Sequence, residues 1–237
     1  MTAKPSRPDL ADFETVTEWV FDLDNTLYPR RVDLFSQIDK KMTGYIRALL
    51  DLDHDAARKV QKQYYRDHGT TLQGLMINHG IDANDFLSAV HDIDYSALEP
   101  DPKLGEAIKA LPGRKFIFTN GDVPHARRTA EALGILDHFV DIFDIIAAEL
   151  MPKPAPDTYR RFLEINGVHP KQAAMFEDLP RNLTAPHDLG MRTVLIVPNN
   201  MDEVVGETWE QEGDDAPHIH YVTDDLRDFL FALQPAS

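Results

Sequence analysis

Trp19-Val20-Phe21-Asp22-Leu23-Asp24-Asn25-Thr26-Leu27-Tyr28-Pro29 is the stretch on which the reading of this chain turns. Trp19 to Phe21 form an apolar run that ends abruptly in Asp22 and Asp24, after which Asn25 and Thr26 break the pattern. A short apolar run closed by turn residues predicts a buried strand, here Glu18 to Asp22. Side chains two apart on an extended segment point the same way, so both carboxylates leave the strand end together. Neighbouring acids repel, which raises their pKa values unless a cation neutralises them. A hard divalent ion with oxygen ligands does this, and Mg²⁺ usually takes one or two carboxylates plus a substrate phosphate. Asp-x-Asp alone also describes an ordinary acidic turn, so its meaning depends on what else converges there.

Outward from this stretch, the chain divides by periodicity. Apolar residues Phe35, Ile38, Met42, Tyr45, Ile46 and Leu49 recur at helical spacing, and Asp53 to Asp67 is also helical in character. Gly69 and Gly80 bracket a short helix, and Asp82 is placed to cap another. No strand signal falls between Arg30 and Ile93, which predicts about four helices before the Pro100-Asp101-Pro102 punctuation. Strands and helices then alternate. Predicted strands are Lys115–Phe118, Phe143–Ala147, Ala173–Phe176, Thr193–Val197 and Ile219–Val222, with helices between them and a last helix from Leu226 to Leu233.

Such alternation predicts an α/β fold: a Rossmann-like, mostly parallel sheet with helices on both faces. Ligands then sit beyond the carboxyl ends of the strands. Three predicted strands end there in special residues: Asp22 and Asp24, Thr119 and Asn120, Glu177 and Asp178. The helical stretch is too long for a simple crossover. The expected organisation is therefore a catalytic core of residues 13–29 and 100–237, with a helical cap, 30–99, inserted after the first strand. Met1 to Asp12 reads as a loose leader.

Composition bounds the partners. The 237 residues carry a net charge of −16, from 24 basic and 40 acidic side chains. That field repels nucleic acids and anionic membranes, and it requires a local positive centre if the substrate is a phosphate. The absence of cysteine excludes disulfides and thiolate chemistry. No apolar run reaches about 18 residues and no secretory signal is visible, so a cytoplasmic protein is expected.

Taken together, Asp22-Leu-Asp24-Asn25-Thr26, Thr119-Asn120-Gly121-Asp122, Lys153 and Glu177-Asp178 resemble the four motifs of the haloacid-dehalogenase-like hydrolase superfamily, in order and in strand-end placement. Asp22 to Pro29 further resembles the pyrimidine 5′-nucleotidase group, as do Tyr64-Tyr65, Gly69 to Leu75, Val90-His91-Asp92 and Phe118 to Asp122 with His125-Ala126. The resemblance covers roughly Val20 to Val197. It implies a Mg²⁺-dependent phosphomonoesterase acting on a small phosphorylated metabolite. It also implies a metal held by the Asp22 carboxylate, the Asp24 carbonyl and Asp178, with Glu177 bound directly or through water and Asn182 behind them.

The residues support that chemistry on their own terms. A carboxylate attacks phosphorus to give an aspartyl-phosphate that water can hydrolyse, and Asp22 is the candidate. A sugar alkoxide leaves poorly unless protonated, which gives Asp24 the role of acid and later base. Thr119 supplies a hydroxyl for the phosphoryl oxygens, and the backbone N–H groups of Asn120 and Gly121 precede a helix N-terminus, where anions are favoured. Asn25 tolerates positive φ, which suits a turn whose amide faces phosphate. Lys153, between Pro152 and Pro154, supplies the cation; a solvated surface lysine is the bland alternative.

Tyr28, Thr70, Thr71, His79, His91, Asp122 and His125 have the chemical reach to choose a substrate, each weighed against being simply packed or exposed. His218 and His220, lacking a third ligand, read as strand-edge residues, and the acidic stretch 207–215 reads as a solvated turn. Pro186 crowds the carbonyl four residues back, that of Asn182, and predicts a kink or break. The expected substrate is a pyrimidine 5′-monophosphate. The alternatives are a nicotinic-type mononucleotide or sugar phosphate, a dehalogenase, a phosphomutase, and a sensor without turnover.

Overall fold

Trp19, Val20 and Phe21 are all buried, and the strand they build, β1 (Glu18–Phe21), has a parallel neighbour on each side. The computed structural model describes residues 6–199 and 216–234. The other strands are β2 (Arg114–Phe118), β3 (Asp141–Phe143), β4 (Ala173–Glu177), β5 (Arg192–Ile196) and β6 (Tyr221–Thr223). Their order is β3-β2-β1-β4-β5-β6, and every pairing is parallel. Buried parallel strands read as continuous apolar runs, because both faces are covered.

Alternation along β1 separates the two faces. Trp19 and Phe21 join Ile117 and Phe176 in one core, against α5 (Pro102–Ala110), α6 (Val123–Ala132) and α9 (Leu226–Ala232). Val20, Phe116, Phe118 and Met175 join the other, against α7 (Pro156–Asn166) and α8 (Thr184–Leu189). Phe21 lies opposite both Ile117 and Phe176, so one residue further on the ends of β1, β2 and β4 are level.

Four helices fall between β1 and α5: α1 (Leu34–Leu50), α2 (His54–His68), α3 (Thr71–His79) and α4 (Ala83–Val90). They enclose their own apolar cluster, which includes Ile38, Ile46, Leu75, Phe86 and Val90. Side chains of Asp53, Thr70 and Asp82 accept from the first-turn amides of α2, α3 and α4 and so fix where each helix begins. A Cβ at Gly74 would lie 2.4 Å from Tyr64 Cβ, so the close approach of α3 to α2 requires glycine there.

Several expectations need correction. The strand expected at Phe143–Ala147 stops at Phe143. Asp144 then accepts from the amides of Val123 and Ala147, which turns the chain, and Ile145 leaves to pack in the helical cluster. The apolar run there serves two cores and is not a strand.

The described part of the leader is not loose. Ser6 N–H donates to Val222 O at 2.8 Å, and Asp12 receives both Arg192 and the Tyr221 hydroxyl. The last strand begins two residues late, at Tyr221. His218 and His220 precede it, bonded to Pro180 O and to Thr193. The acidic stretch 207–215 lies outside the described residues.

The Pro186 expectation takes a specific form. A 3-10 turn, Pro180–Leu183, precedes the six-residue α8, and the Asn182 carbonyl accepts from the Tyr159 hydroxyl at 2.7 Å. Proline has no N–H to offer that carbonyl, so a tyrosine from α7 supplies the donor.

Candidate active site

Asp22, at the tip of β1, is held at both oxygens. Lys153 Nζ lies 2.7 Å from Oδ1, and the Thr26 hydroxyl donates to Oδ2 at 3.1 Å. Its own amide continues the ladder to Phe176 O. Burial pushes the Asp22 carboxyl well above its ordinary range, Glu177 and Asp178 add to the push, and Lys153 opposes them.

Lys153 is 1% exposed, and its ammonium donates to Asp22, to Glu177 Oε1 at 2.7 Å and to Phe118 O at 2.9 Å. Burial works against that charge, but the two carboxylates outweigh it and raise the lysine pKa. Asn120 fixes the backbone beneath: its Oδ1 accepts from Lys153 N–H and its Nδ2 donates to Lys153 O. The Lys153-Pro154 peptide is cis.

Thr119 sits just beyond β2, and its hydroxyl oxygen accepts from Gly121 N–H at 2.9 Å. That amide, expected to face phosphate, is therefore already engaged by the threonine. Asn25 has φ 63°, as its tolerance of the left-handed region leads one to expect.

Glu177 and Asp178 close the site from β4. Glu177 is spanned by Lys153 and Asn182 Nδ2 on Oε1 and by Leu179 N–H on Oε2. Asn182 thus braces the glutamate that holds the lysine. Asp178 is pushed up to about 7 by burial and by Glu177, against the pull of Arg30 and Lys153. Arg30 donates to Asp178 Oδ2 at 2.7 Å.

Oxygens of Asp22, Glu177 and Asp178 all lie within 4.8 Å of one another. Three carboxylates gathered here, of which Asp22 and Asp178 have raised pKa values, carry more negative charge than the lysine and arginine beside them remove. An all-oxygen set of this kind fits a hard divalent cation.

Asp24 faces a different environment. Its Oδ1 accepts from the Tyr28 hydroxyl and lies 2.9 Å from His125 Nε2. Burial alone would raise its pKa, but His125, by charge and hydrogen bond, and the Tyr28 hydroxyl hold it down at about 2. His125 Nδ1 lies 2.9 Å from the Tyr95 hydroxyl, and His91 stacks on the ring with centroids 4.5 Å apart. Asp122 caps α6 through His125 N–H and lies 2.9 Å from His91 Nδ1.

Four of the residues expected to choose substrate, Tyr28, His91, Asp122 and His125, are therefore buried together around Asp24. The other three make their hydrogen bonds within the helical segment. Thr70 caps α3, the Thr71 hydroxyl donates to Gln61 O, and His79 pairs with the Tyr64 hydroxyl.

The helices still reach the site. Gly69, between α2 and α3, packs against Pro152 beside the lysine, and Arg181 places its guanidinium 4.9 Å from the Tyr65 ring centroid. Arg30 and Tyr95 were not foreseen. The basic Arg30-Arg31 pair next to an acidic strand end was a usable signal, whereas Tyr95 lies in a loop without periodicity.

A six-stranded parallel sheet with Asp22, Lys153 and the paired acids Glu177 and Asp178 at its carboxyl edge defines a class. Residues 20–190 match the family model of the haloacid dehalogenase-like hydrolases, and the chain belongs to that family. Phosphate metabolism protein 8 of Saccharomyces cerevisiae is 30% identical over an alignment of 193 residues that covers 74% of this chain and 60% of the yeast protein. The chain thus spans about 60% of the length of that relative.

Among solved structures, a HAD phosphatase from Thermococcus onnurineus superposes with a TM-score of 0.54 at 20% identity, over 78% of this chain and 88% of that one. A defluorinating L-2-haloacid dehalogenase superposes with a TM-score of 0.53 at 19% identity, over 97% of this chain and 99% of that one. At such identities these similarities establish the fold alone. Among the described residues no helix is long and apolar enough to cross a membrane.

Proposed function

We propose that the protein is a Mg²⁺-dependent phosphomonoesterase working through an aspartyl-phosphate on Asp22. The observation that carries this reading is the Asp22–Lys153–Glu177 cluster at the strand edge, with a second, separately held acid two residues on. Asp22 and Asp178 would hold the metal, with the Asp24 carbonyl as the resemblance implies. Glu177 serves chiefly to seat Lys153. When bound, the cation offsets charge on the carboxylates and on the phosphate.

The side chains divide the remaining work. Asp22 attacks phosphorus as a carboxylate, while Lys153 and the Thr119 hydroxyl hold phosphoryl oxygens in place. Asp24 is ionised in the free site at its pKa of about 2. A phosphate dianion beside it, together with loss of water, raises a carboxyl pKa, so Asp24 takes up a proton as substrate binds. It gives that proton to the leaving oxygen and afterwards receives one from the attacking water. A departing halide needs no such proton, so the care with which Asp24 is held favours a phosphomonoester over a haloacid.

Helices α1–α4 act as the cap, touching the core at Pro152 and Arg181 beside the site. A covered site favours a small substrate. Within that class we read a pyrimidine 5′-monophosphate, on the likeness of Asp22 to Pro29 and Gly69 to Leu75 to that group. Sugar phosphates and nicotinic mononucleotides are the alternatives. Phosphate release from a panel of metabolites, with and without Mg²⁺ and with Asp22→Asn as control, tests both levels. Preferred turnover of UMP or CMP supports the reading, turnover of other small phosphates corrects the substrate, and equal behaviour of wild type and variant removes the catalytic assignment.

A further inference from the structure

His125 is fully buried, yet its ring is committed on every side. Nε2 lies 2.9 Å from Asp24 Oδ1, Nδ1 lies 2.9 Å from the Tyr95 hydroxyl, and the ring face rests on His91 at an interplanar angle of 12°. The His125 backbone is fixed as well, because its N–H donates to Asp122 Oδ1 at the start of α6. Both donors to the Asp24 carboxyl, His125 and Tyr28, converge on the same oxygen, Oδ1. A carboxyl free to rotate presents either oxygen to the leaving group, and acid catalysis requires one of them within hydrogen-bond reach in a fixed pose.

We infer that His125 is a positioning residue: with Tyr28 it engages Oδ1 of Asp24 and so reserves Oδ2 for the proton delivered to the leaving oxygen. The inference rests on the phosphomonoesterase reading. In the step concerned, the bond from Asp22 to phosphorus forms and the bond from phosphorus to the leaving oxygen breaks. The proton on Asp24 Oδ2 passes to that oxygen, which leaves an alcohol, a phosphoaspartate and an ionised Asp24. Tyr95, reaching His125 from the segment between α4 and α5, holds the imidazole in place, so the path from the helical segment to the acid runs through one ring.

The alternative is that His125 simply fills the core, and the two roles separate by leaving group. 4-Nitrophenolate departs without a proton, an alkoxide does not, and kcat/KM reports only the steps through cleavage of the phosphorus–oxygen bond. The test compares kcat/KM of wild type, His125→Phe and His125→Gln on 4-nitrophenyl phosphate and on an alkyl phosphomonoester. His125→Phe is expected to lose at least about tenfold more on the alkyl ester than on the aryl ester. His125→Gln, which keeps an N–H donor near the position of Nε2, recovers most of that selective loss.

Equal losses on both esters, or a glutamine variant no better than the phenylalanine one, overturn the inference while the phosphatase reading stands. A wild-type protein that hydrolyses neither ester removes that reading and the inference with it. If His125→Phe does not fold, Tyr95→Phe is expected to show the same selectivity in smaller measure, and uniform loss there is equally decisive.

Discussion

The ammonium of Lys153 stands 2.7 Å from Asp22 Oδ1 and 2.7 Å from Glu177 Oε1, both partners buried and 131 and 24 residues away in the chain. A buried charge on either side of this triad is tolerable only while the others are present. Removing the lysine leaves two buried carboxylates facing each other.

Lys153→Met is therefore expected to cost about 3–5 kcal/mol of stability as well as activity. Urea unfolding of the metal-free protein measures it. A loss of activity with unchanged stability would show that the triad is less tightly coupled than its geometry implies.

The pH dependence follows from two acids shifted in opposite directions. Asp178, at about 7 in the fold against 3.8 ordinarily, binds its proton more tightly when folded. The folded state then holds more protons than the unfolded one across that window, so metal-free stability falls as pH rises through it. Asp24, held at about 2, contributes stability above its ordinary pKa that is lost as pH falls toward 2. A cation stabilises most where Asp178 has lost its proton. Thermal scans should show a larger Mg²⁺-induced rise in Tm at pH 8 than at pH 5.5, and an equal rise at both would contradict the assignment of Asp178 as a ligand.

Tyr159 and Pro186 make a linked pair through the Asn182 carbonyl. Tyr159→Phe leaves that carbonyl buried without its donor, at a cost of about 1–3 kcal/mol. Pro186→Ala restores an N–H four residues on, so the double variant should lose less than the sum of the single ones, by about 0.5 kcal/mol or more. Strict additivity in a double-mutant cycle would show that the two residues act independently.

Gly74→Ala forces a Cβ into Tyr64 Cβ and should separate α2 from α3. Overpacking of this kind costs about 1–3 kcal/mol, read as a lower denaturation midpoint. A neutral substitution would mean that the two helices are free to part.

Much of this was legible before the fold was known, for physical reasons that differ residue by residue. Asp22, Asp24, Thr119, Glu177 and Asp178 could be placed because each interrupts a buried apolar run, and a parallel sheet aligns all such interruptions at one edge. The Phe143–Ala147 run misled because Ile145 is apolar for a different cluster, and burial alone does not say which core a residue joins. His125, His91, Asp122 and Tyr28 were recognised as chemically able. That they surround Asp24 depends on where α6 and the segment after α4 come to rest, which no local pattern encodes. The Arg30–Asp178 pair spans 148 residues and depends equally on the closed fold.

The central claim is that Asp22 becomes phosphorylated. Asp24→Asn removes the base that activates water, so phosphoenzyme should accumulate when this variant is mixed with Mg²⁺ and 4-nitrophenyl phosphate, whose leaving group needs no proton from Asp24, and quenched in acid. Peptide mass spectrometry is predicted to find the phosphoryl group on Asp22 and nowhere else, and to lose it in Asp22→Asn. A wild-type enzyme that turns over under the same conditions while Asp22 never carries phosphate would contradict the account.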